Sequence, residues 1–250
     1  VGIVGGEGFV GSAFVRYLNK IRVGGTAITR ANYVEHRGSS WDLIINANGN
    51  SKKWLAEREP LRDFDLTVRS TLSVISDFKS DRYIHLSSID VYNDVSNVDC
   101  NSEAVSIVPE RLSNYGTGKL LAETVVRKYS PDWLIVRLGG MVGKGLKKNS
   151  IYDLMNGDPL RVHPKSAYQY LNNDDVARLV WAVVSKNITR EVFNLCGDET
   201  VRLSEVQRWL GIVSEDNGLG DEHYEINIDK IKQLVEVPKT RKTVRSFIGA

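Results

Sequence analysis

Three polar side chains in two separate segments of the sequence could together perform acid–base chemistry. Tyr115 and Lys119 lie four residues apart in Tyr-Gly-Thr-Gly-Lys, a spacing that places them on one face of a helix. An ammonium group on that face favours the phenolate, so we expect Lys119 to lower the pKa of Tyr115 and make it a general acid and base. Ser88 follows an apolar run and can hold a substrate carbonyl against Tyr115. An isolated Tyr/Lys pair at this spacing is also compatible with a surface contact.

A glycine-rich segment near the start of the chain predicts a phosphate-binding turn. It matches G-x-G-x-x-G from Gly6 and G-x-x-G-x-x-G from Gly5, between an apolar run and an amphipathic stretch. A pyrophosphate needs a tight turn, a backbone without Cβ at close approach and the free N–H groups of a helix N-terminus. We therefore expect a nicotinamide dinucleotide here, held by Gly5, Gly8, Phe9, Val10 and Gly11.

The residues after the second predicted strand favour NADP(H) over NAD. An NAD-binding protein usually has Asp or Glu at this place for the ribose hydroxyls, whereas this chain has Thr29 and Arg30. A hydroxyl and a planar guanidinium can bind a 2′-phosphate through charge-assisted hydrogen bonds. The alternative is that Arg30 is a solvated surface arginine.

Elements that can position these residues alternate between short apolar runs and longer amphipathic stretches, a pattern typical of an α/β fold. Strands are predicted at residues 1–4, 26–29, 42–47, 83–86, 133–138 and 192–195. Helices are predicted at residues 9–19, 60–78, 112–129 and 174–185, the last with Asp174 as its N-cap, and shorter ones near 151–155, 204–210 and 229–235. The predicted fold is a Rossmann doubly wound parallel sheet. Its domain would comprise residues 1–138 plus 170–196, with a small discontinuous C-terminal substrate lobe at 139–169 plus 197–250.

Composition excludes several other classes of protein. The 250 residues include 33 Lys plus Arg and 31 Asp plus Glu, a net charge of +2 that disfavours a nucleic-acid partner. Two distant cysteines and four histidines without paired spacing indicate no metal site. The apolar runs are far shorter than the ~20 residues of a membrane span. The chain begins without a signal-type segment, so we expect a cytoplasmic protein with reduced thiols.

The order and spacing of the motifs resemble the extended short-chain dehydrogenase/reductase family, which contains nucleotide-sugar epimerases, dehydratases and reductases. The resemblance covers nearly the whole chain. It rests on the Gly5 to Gly11 turn, Ser-Ser-Ile-Asp-Val-Tyr at 87–92, Tyr115 to Lys119 with the following Leu-Leu-Ala-Glu, Val-Arg-Leu at 136–138 with Gly-Lys-Gly at 143–145, and Asn-Asp-Asp-Val-Ala at 173–177. The resemblance implies that Tyr115 is the catalytic acid/base, that Lys119 binds the nicotinamide ribose and tunes Tyr115, and that Ser88 polarises the substrate. It also implies a homodimer formed by the helices at 60–78 and 112–129.

Departures from the family pattern narrow the function. Dehydratases of the family have Thr-Asp-Glu where this chain has Ser88, Ile89 and Asp90, which disfavours a 4,6-dehydratase. Asp90 can act in proton transfer or as a capping carboxylate. Thr67 occupies the position of an active-site Asn in relatives, which leaves the proton relay open.

The substrate's diphosphate also lacks its usual ligand. Tyr168 stands where the family often has a diphosphate-binding Arg. Four basic residues of the lobe either supply the missing charge or form a solvated surface: Lys144, Lys147, Lys148 and Arg161.

The ends of the third and fifth predicted strands supply further candidates. Ala47 fits the place where the family has small residues beside the cofactor, and Asn48 and Asn50 can face the same crevice or form an asparagine-rich turn. Additional cofactor contacts are expected from Asn46, Ala47, Asn48 and Leu138, and substrate contacts from Asn48, Asn50, Ser88, Asp90 and Asn149.

The leading hypothesis is an NADP(H)-dependent reductase of a ketone on a polyol-like substrate, most simply a nucleotide-linked 4-keto-6-deoxy sugar. The first alternative is an epimerase that uses the same residues with retained NAD. The second is a cofactor-binding sensor that performs no chemistry.

Overall fold

The computed structural model describes residues 1–250 and contains ten strands and eleven α-helices. The strands are β1 (Gly2–Val4), β2 (Thr26–Ile28), β3 (Ser40–Asn46), β4 (Lys79–Ser88), β5 (Trp133–Leu138), β6 (Gly140–Val142), β7 (Ala167–Tyr168), β8 (Tyr170–Asn172), β9 (Glu191–Leu195) and β10 (Val201–Arg202). The helices are α1 (Gly11–Lys20), α2 (Tyr33–His36), α3 (Lys53–Arg58), α4 (Pro60–Phe64), α5 (Ser70–Asp77), α6 (Asn114–Tyr129), α7 (Ser150–Asn156), α8 (Asn173–Val184), α9 (Leu203–Trp209), α10 (Asp229–Lys232) and α11 (Thr240–Ile248).

Six parallel strands form the central sheet in the order β2-β1-β3-β4-β5-β9. The chain passes from β1 to β2 on one side and then crosses to β3 on the other, so the order reverses at β1. Open α/β sheets bind ligands in the crevice at such a reversal, outside the carboxyl ends of the strands. Asn46, Ser88 and Leu138 end β3, β4 and β5 at this edge, and Ser88 is in register with Leu138. The predicted doubly wound α/β fold is confirmed.

Alternating side chains of the buried strands form two apolar layers. Ile84 packs with Phe14 of α1 and Leu179 of α8 on one face of the sheet. Tyr83, the preceding residue, packs with Val126 of α6 on the other face. Because both faces are covered by helices, the buried parts of the strands are mainly apolar, as at Leu43–Ile45 of β3 and Leu134–Val136 of β5. His85 is a buried polar residue within β4. None of the helices is long and apolar enough to cross a membrane.

A third apolar cluster lies in the C-terminal part of the chain, where Val142, Ile151, Tyr170, Val206 and Val244 pack together. Two small two-stranded sheets, β6 with β8 and β10 with β7, belong to this region. Four apolar side chains from residues 226–237 pack instead into the large core beside the central sheet: Ile226, Ile228, Ile231 and Val237. The division into two domains stays a prediction.

Several details of the helices differ from the sequence-based prediction. The helix predicted at 60–78 is interrupted by a π-helical turn, Asp65–Arg69, between α4 and α5. Asp174 is not the N-cap of α8, because the Asn172 side chain accepts a hydrogen bond from the Asp174 amide and caps the helix itself. Ser113 caps α6 in the same way. Helices α2, α3 and α11 and the strands β6, β7, β8 and β10 were missed. These strands have two or three residues, which carry too little periodicity to be predicted.

Candidate active site

The glycine turn joins β1 to α1 and has the geometry of an anion-binding site. Gly5 has a positive φ of 78°, which favours glycine. A Cβ on Gly11 would lie 2.2 Å from the Gly5 carbonyl oxygen, so the helix can approach the strand this closely only without a side chain there. The amides of Phe9, Val10 and Gly11 donate to no backbone carbonyl. Three free N–H groups at a helix N-terminus are what a dinucleotide pyrophosphate requires, so the turn fits this group.

The end of β2 presents one paired and one unpaired polar residue. The Thr29 hydroxyl donates to Asn32 Oδ1 at 3.2 Å, and the Thr29 amide donates to the same oxygen at 2.7 Å. Arg30 is exposed. A guanidinium is therefore available where a cofactor ribose would lie in a fold of this type. Asn32, which holds this loop, was not predicted from the sequence.

Ser88, Tyr115 and Lys119 come together at the carboxyl edge of the sheet, as the sequence predicted. All three are buried. Ser88 ends β4, and the other two belong to the first turns of α6, where the Lys119 ammonium lies 5.3 Å from the centre of the Tyr115 ring. This distance is within the range of a cation–π contact.

The prediction that Lys119 lowers the pKa of Tyr115 is wrong, because the pKa is raised in this structure. Burial raises the pKa of Tyr115 well above its usual value, and the negative charge of Asp90 raises it further, while Lys53 and Ser88 oppose the shift only in part. The same burial lowers the pKa of Lys119 to about 8, although Asp63 and Asp90 raise it. Tyr115 is thus held as a neutral phenol that can donate a proton at neutral pH.

A charged pair lies next to these residues. Asp90 Oδ1 accepts a hydrogen bond from Lys53 Nζ at 2.6 Å, and Asp90 Oδ2 accepts one from the Ser88 hydroxyl at 2.9 Å. Tyr224 donates to Asp90 Oδ1 at 3.4 Å and also contacts Lys53 at 3.0 Å. Asp90 lies within the 3₁₀ turn Ile89–Val91 and does not cap it, because the Ser88 side chain performs that role. Lys53 and Tyr224 were missed because they are distant from Ser88 in the chain.

The asparagines after β3 mostly form hydrogen bonds within the protein. Asn46 is fully buried, with its Nδ2 donating to Tyr83 and its Oδ1 accepting from the Asn48 amide. Asn48 Nδ2 donates to Ser70 at 2.5 Å. Asn50 donates to Asp63 and to the Lys52 carbonyl. The Asn46 and Asn50 side chains are therefore turned away from the crevice, and their cofactor and substrate contacts stay predictions.

Ala47 and Leu138 lie at the same edge of the sheet. The Ala47 carbonyl is 3.1 Å from the position that a Cβ on Gly5 would occupy, which places its backbone beside the glycine turn. Leu138 is buried next to Ser88 in the neighbouring strand. Both positions are suited to contact a cofactor lying across the crevice.

The polar side chains predicted in the lobe form hydrogen bonds with other residues of the protein. Asn149 caps α7 and donates to the Met141 carbonyl, so its amide is occupied. Tyr168 donates to Glu222 at 2.8 Å and stacks on Tyr224. Lys148 reaches across to Ser51. Asn173 connects the lobe to the glycine turn by donating to the carbonyls of Phe9 and Lys144.

Known structures share this fold over nearly the full chain. MoeE5 in complex with UDP-glucuronic acid and NAD has a TM-score of 0.83 and 17% identity, covering 99% of this chain and 97% of that one. A UDP-galactose 4-epimerase has a TM-score of 0.82 and 19% identity, covering 99% and 96%. A dTDP-glucose 4,6-dehydratase from Bacillus anthracis in complex with NAD has a TM-score of 0.78 and 16% identity, covering 99% and 94%.

Sequence comparison assigns the family. No curated protein matches the chain. The family model "NAD dependent epimerase/dehydratase family" matches residues 1–196, which include the glycine turn, Ser88, Tyr115 and Lys119. The resemblance inferred from the motifs is confirmed, and with it the assignment to nicotinamide-dependent oxidoreductases of the short-chain dehydrogenase/reductase type. The chain belongs to the NAD dependent epimerase/dehydratase family.

Proposed function

We propose that the protein is an NADP(H)-dependent reductase of a ketone on a nucleotide-linked sugar, with a 4-keto-6-deoxy sugar as the candidate substrate. The observation that carries this proposal is the state of Tyr115. Its hydroxyl is buried, keeps its proton at neutral pH, and lies with Ser88 and Lys119 at the crevice beside the glycine turn. A protonated phenol is the form that reduction of a carbonyl requires.

The proposed chemistry assigns one task to each residue. Reduced nicotinamide would supply a hydride to the carbonyl carbon when bound. Tyr115 gives its proton to the carbonyl oxygen, so that the ketone becomes an alcohol and the tyrosine a phenolate. Ser88 orients the carbonyl. To do so, its hydroxyl must break its hydrogen bond to Asp90 and donate to the carbonyl oxygen. The Lys119 charge stabilises the phenolate until it is protonated again.

The substrate class is supported by charge in the lobe and by the matched structures. One of them, MoeE5, contains UDP-glucuronic acid and NAD. In this chain Tyr168 donates to Glu222 and cannot replace a diphosphate-binding arginine. Of the four basic residues predicted for this role, Lys148 binds Ser51. Lys144, Lys147 and Arg161 are left to neutralise a diphosphate.

The preference for NADP(H) is supported by exposed Arg30 and by the absence of an acidic residue at the end of β2. A second candidate, an epimerase with retained NAD, is favoured by the matched structures, several of which contain NAD. The two differ in net turnover, because an epimerase consumes no reduced cofactor.

Purified protein incubated with nucleotide-linked 4-keto-6-deoxy sugars, and with NADPH and NADH in parallel, tests the proposal. We expect loss of absorbance at the nicotinamide band with NADPH, and a decrease in kcat of about 10²- to 10⁴-fold in Tyr115→Phe, with cofactor affinity unchanged. Product formation without cofactor consumption would favour the epimerase. Cofactor binding without any turnover would favour the sensor.

We further propose a homodimer formed through α4, α5 and α6, the helices predicted at residues 60–78 and 112–129. These helices carry three exposed large apolar side chains, Leu61 and Phe64 of α4 and Leu121 of α6. Exposed apolar clusters of this kind mark interaction surfaces. The two-domain division and the cytoplasmic location inferred from the sequence stay predictions.

A further inference from the structure

A buried carboxylate lies beside the candidate active site and takes no part in the chemistry proposed above. Asp63 of α4 is only 4% exposed. Its Oδ1 accepts hydrogen bonds from Asn50 Nδ2 at 2.7 Å and from the Thr67 hydroxyl at 3.3 Å. Both donors are neutral, so neither cancels the negative charge. A charge held this deeply in the protein needs an opposite charge nearby.

Glycine at two positions makes room for this carboxylate and for the Lys119 ammonium. A Cβ on Gly118, in the turn of α6 next to Lys119, would lie 2.8 Å from Asp63 Oδ2. A Cβ on Gly49 would lie 3.3 Å from Lys119 Nζ. A helix-interior glycine costs about 1 kcal/mol relative to alanine, so Gly118 is explained by the carboxylate that it admits rather than by helix stability.

The charged and titratable groups that act on Lys119 come from four elements or segments besides its own helix. They are Asp63 of α4, Asp90 after β4, His85 of β4 and Lys148 after β6, together with Tyr115 of α6. His85 is buried and neutral, because burial and Lys119 lower its pKa to about 3. Asp90 is already paired with Lys53 at 2.6 Å. Asp63 is therefore the carboxylate whose charge is left for Lys119.

We propose that Asp63 is a positioning residue for Lys119: its buried negative charge, which no ion pair neutralises, keeps this ammonium charged and directed at Tyr115. Thr67 and Asn50 orient the carboxylate through their hydrogen bonds. Thr67 is also the position at which the sequence left the proton relay open. The effect of Asp63 on Lys119 is proposed for the free protein and does not depend on the proposed function. Only the cofactor measurement below rests on that function.

NMR titration of protein labelled at lysine Cε and Nζ measures the pairing directly, with the Lys119 signal assigned by its loss in Lys119→Met. In the wild type we expect a pKa of about 8. In Asp63→Asn, which preserves shape and acceptor oxygen, removal of one nearby opposite charge lowers it to about 7, so the neutral amine at pH 7 increases about fivefold. Asp63→Glu should retain the wild-type value. Asp65→Asn is the matched control, because Asp65 is exposed and paired with Arg69.

An unchanged Lys119 pKa in Asp63→Asn overturns the proposal. If that variant does not fold, Gly118→Ala gives the same test, because its methyl group displaces the carboxylate without removing the charge. We then expect a smaller decrease in the same direction, and no decrease overturns the proposal. Cofactor affinity measured against pH is a separate readout. If Lys119 binds cofactor, the affinity should fall at a lower pH in Asp63→Asn than in the wild type. If the Lys119 pKa changes as expected but the affinity profile does not, the result contradicts the proposed function only.

Discussion

Replacing Glu123 by glutamine should strongly destabilise the protein. Glu123 lies one helical turn after Lys119, and its carboxylate is fully buried. Arg137 of β5 binds it through two hydrogen bonds, from Nε to Oε1 at 3.0 Å and from Nη2 to Oε2 at 2.8 Å. Ser87 of β4 donates to Oε1 at 2.7 Å. This carboxylate therefore anchors α6 to the two strands on which it packs.

The magnitude follows from what the substitution leaves behind. Glutamine keeps the size of the side chain, but Arg137 then has a buried guanidinium without a counter-ion, and its side chain is only 3% exposed. Breaking a buried ion pair by neutralising one partner costs about 3–5 kcal/mol. That is a large part of the ~5–15 kcal/mol by which a typical protein is stable. For a chain of 250 residues it corresponds to a decrease in Tm of roughly 6–20 °C.

Urea unfolding followed by circular dichroism measures this loss. The matched control is Arg127→Gln, which removes the other basic partner of Glu123, since the Arg127 side chain is 38% exposed and its ion pair should contribute less than about 1 kcal/mol. The reasoning is refuted if Glu123→Gln lowers the free energy of unfolding by less than about 1 kcal/mol, or if the two variants are equally affected.

Three further predictions concern the cofactor site and pH. Arg30→Ala should remove most of a ten- to a hundredfold (about 1.5–3 kcal/mol) preference for NADP over NAD in calorimetric titration and leave NAD affinity nearly unchanged; equal affinities in the wild type would contradict the NADP assignment. Gly11→Ala should abolish cofactor binding, because its Cβ would lie 2.2 Å from the Gly5 carbonyl oxygen, whereas Gly220→Ala, where nothing lies within 4 Å, should bind normally. Burial lowers the pKa of His85 from 6.5 to about 3. Below about pH 6.5 the unfolded chain therefore binds a proton at His85 that the folded protein does not bind. Stability should therefore fall between pH 6.5 and 3, and the urea midpoint of His85→Leu should fall less between pH 7 and pH 5; an equal fall would exclude His85 as a cause.

Local patterns were sufficient for the fold and for much of the candidate site. The parallel sheet, the glycine turn and the shared helix face of Tyr115 and Lys119 depend on residues within a few positions of one another, so their spacing carries the information. Ser88 was found for the same reason, because a residue at the carboxyl end of a buried strand faces the ligand crevice in this class of fold. The family match over residues 1–196 agrees with these local assignments.

The electrostatics of the site depended on contacts that the order of residues does not reveal. The spacing of Tyr115 and Lys119 predicted a lowered tyrosine pKa, but burial and Asp90 raise it. Tyr224 reaches Asp90 from 134 positions away, and Lys53 reaches it from 37 positions away. Whether a phenol is an acid or a base is decided by the solvent and the charges around it, and only the packed structure brings those together.

The sequence by itself therefore determined which chemical groups the protein has and which elements carry them. Side-chain direction was decided by the tertiary structure. Asn50, predicted to face the crevice, turns inward because buried Asp63 requires a hydrogen-bond donor. Asn149, predicted to contact substrate, caps a helix with its side-chain oxygen. A polar side chain at the end of a strand satisfies the nearest unpaired group, and the identity of that group depends on segments far away in the chain, which periodicity does not encode.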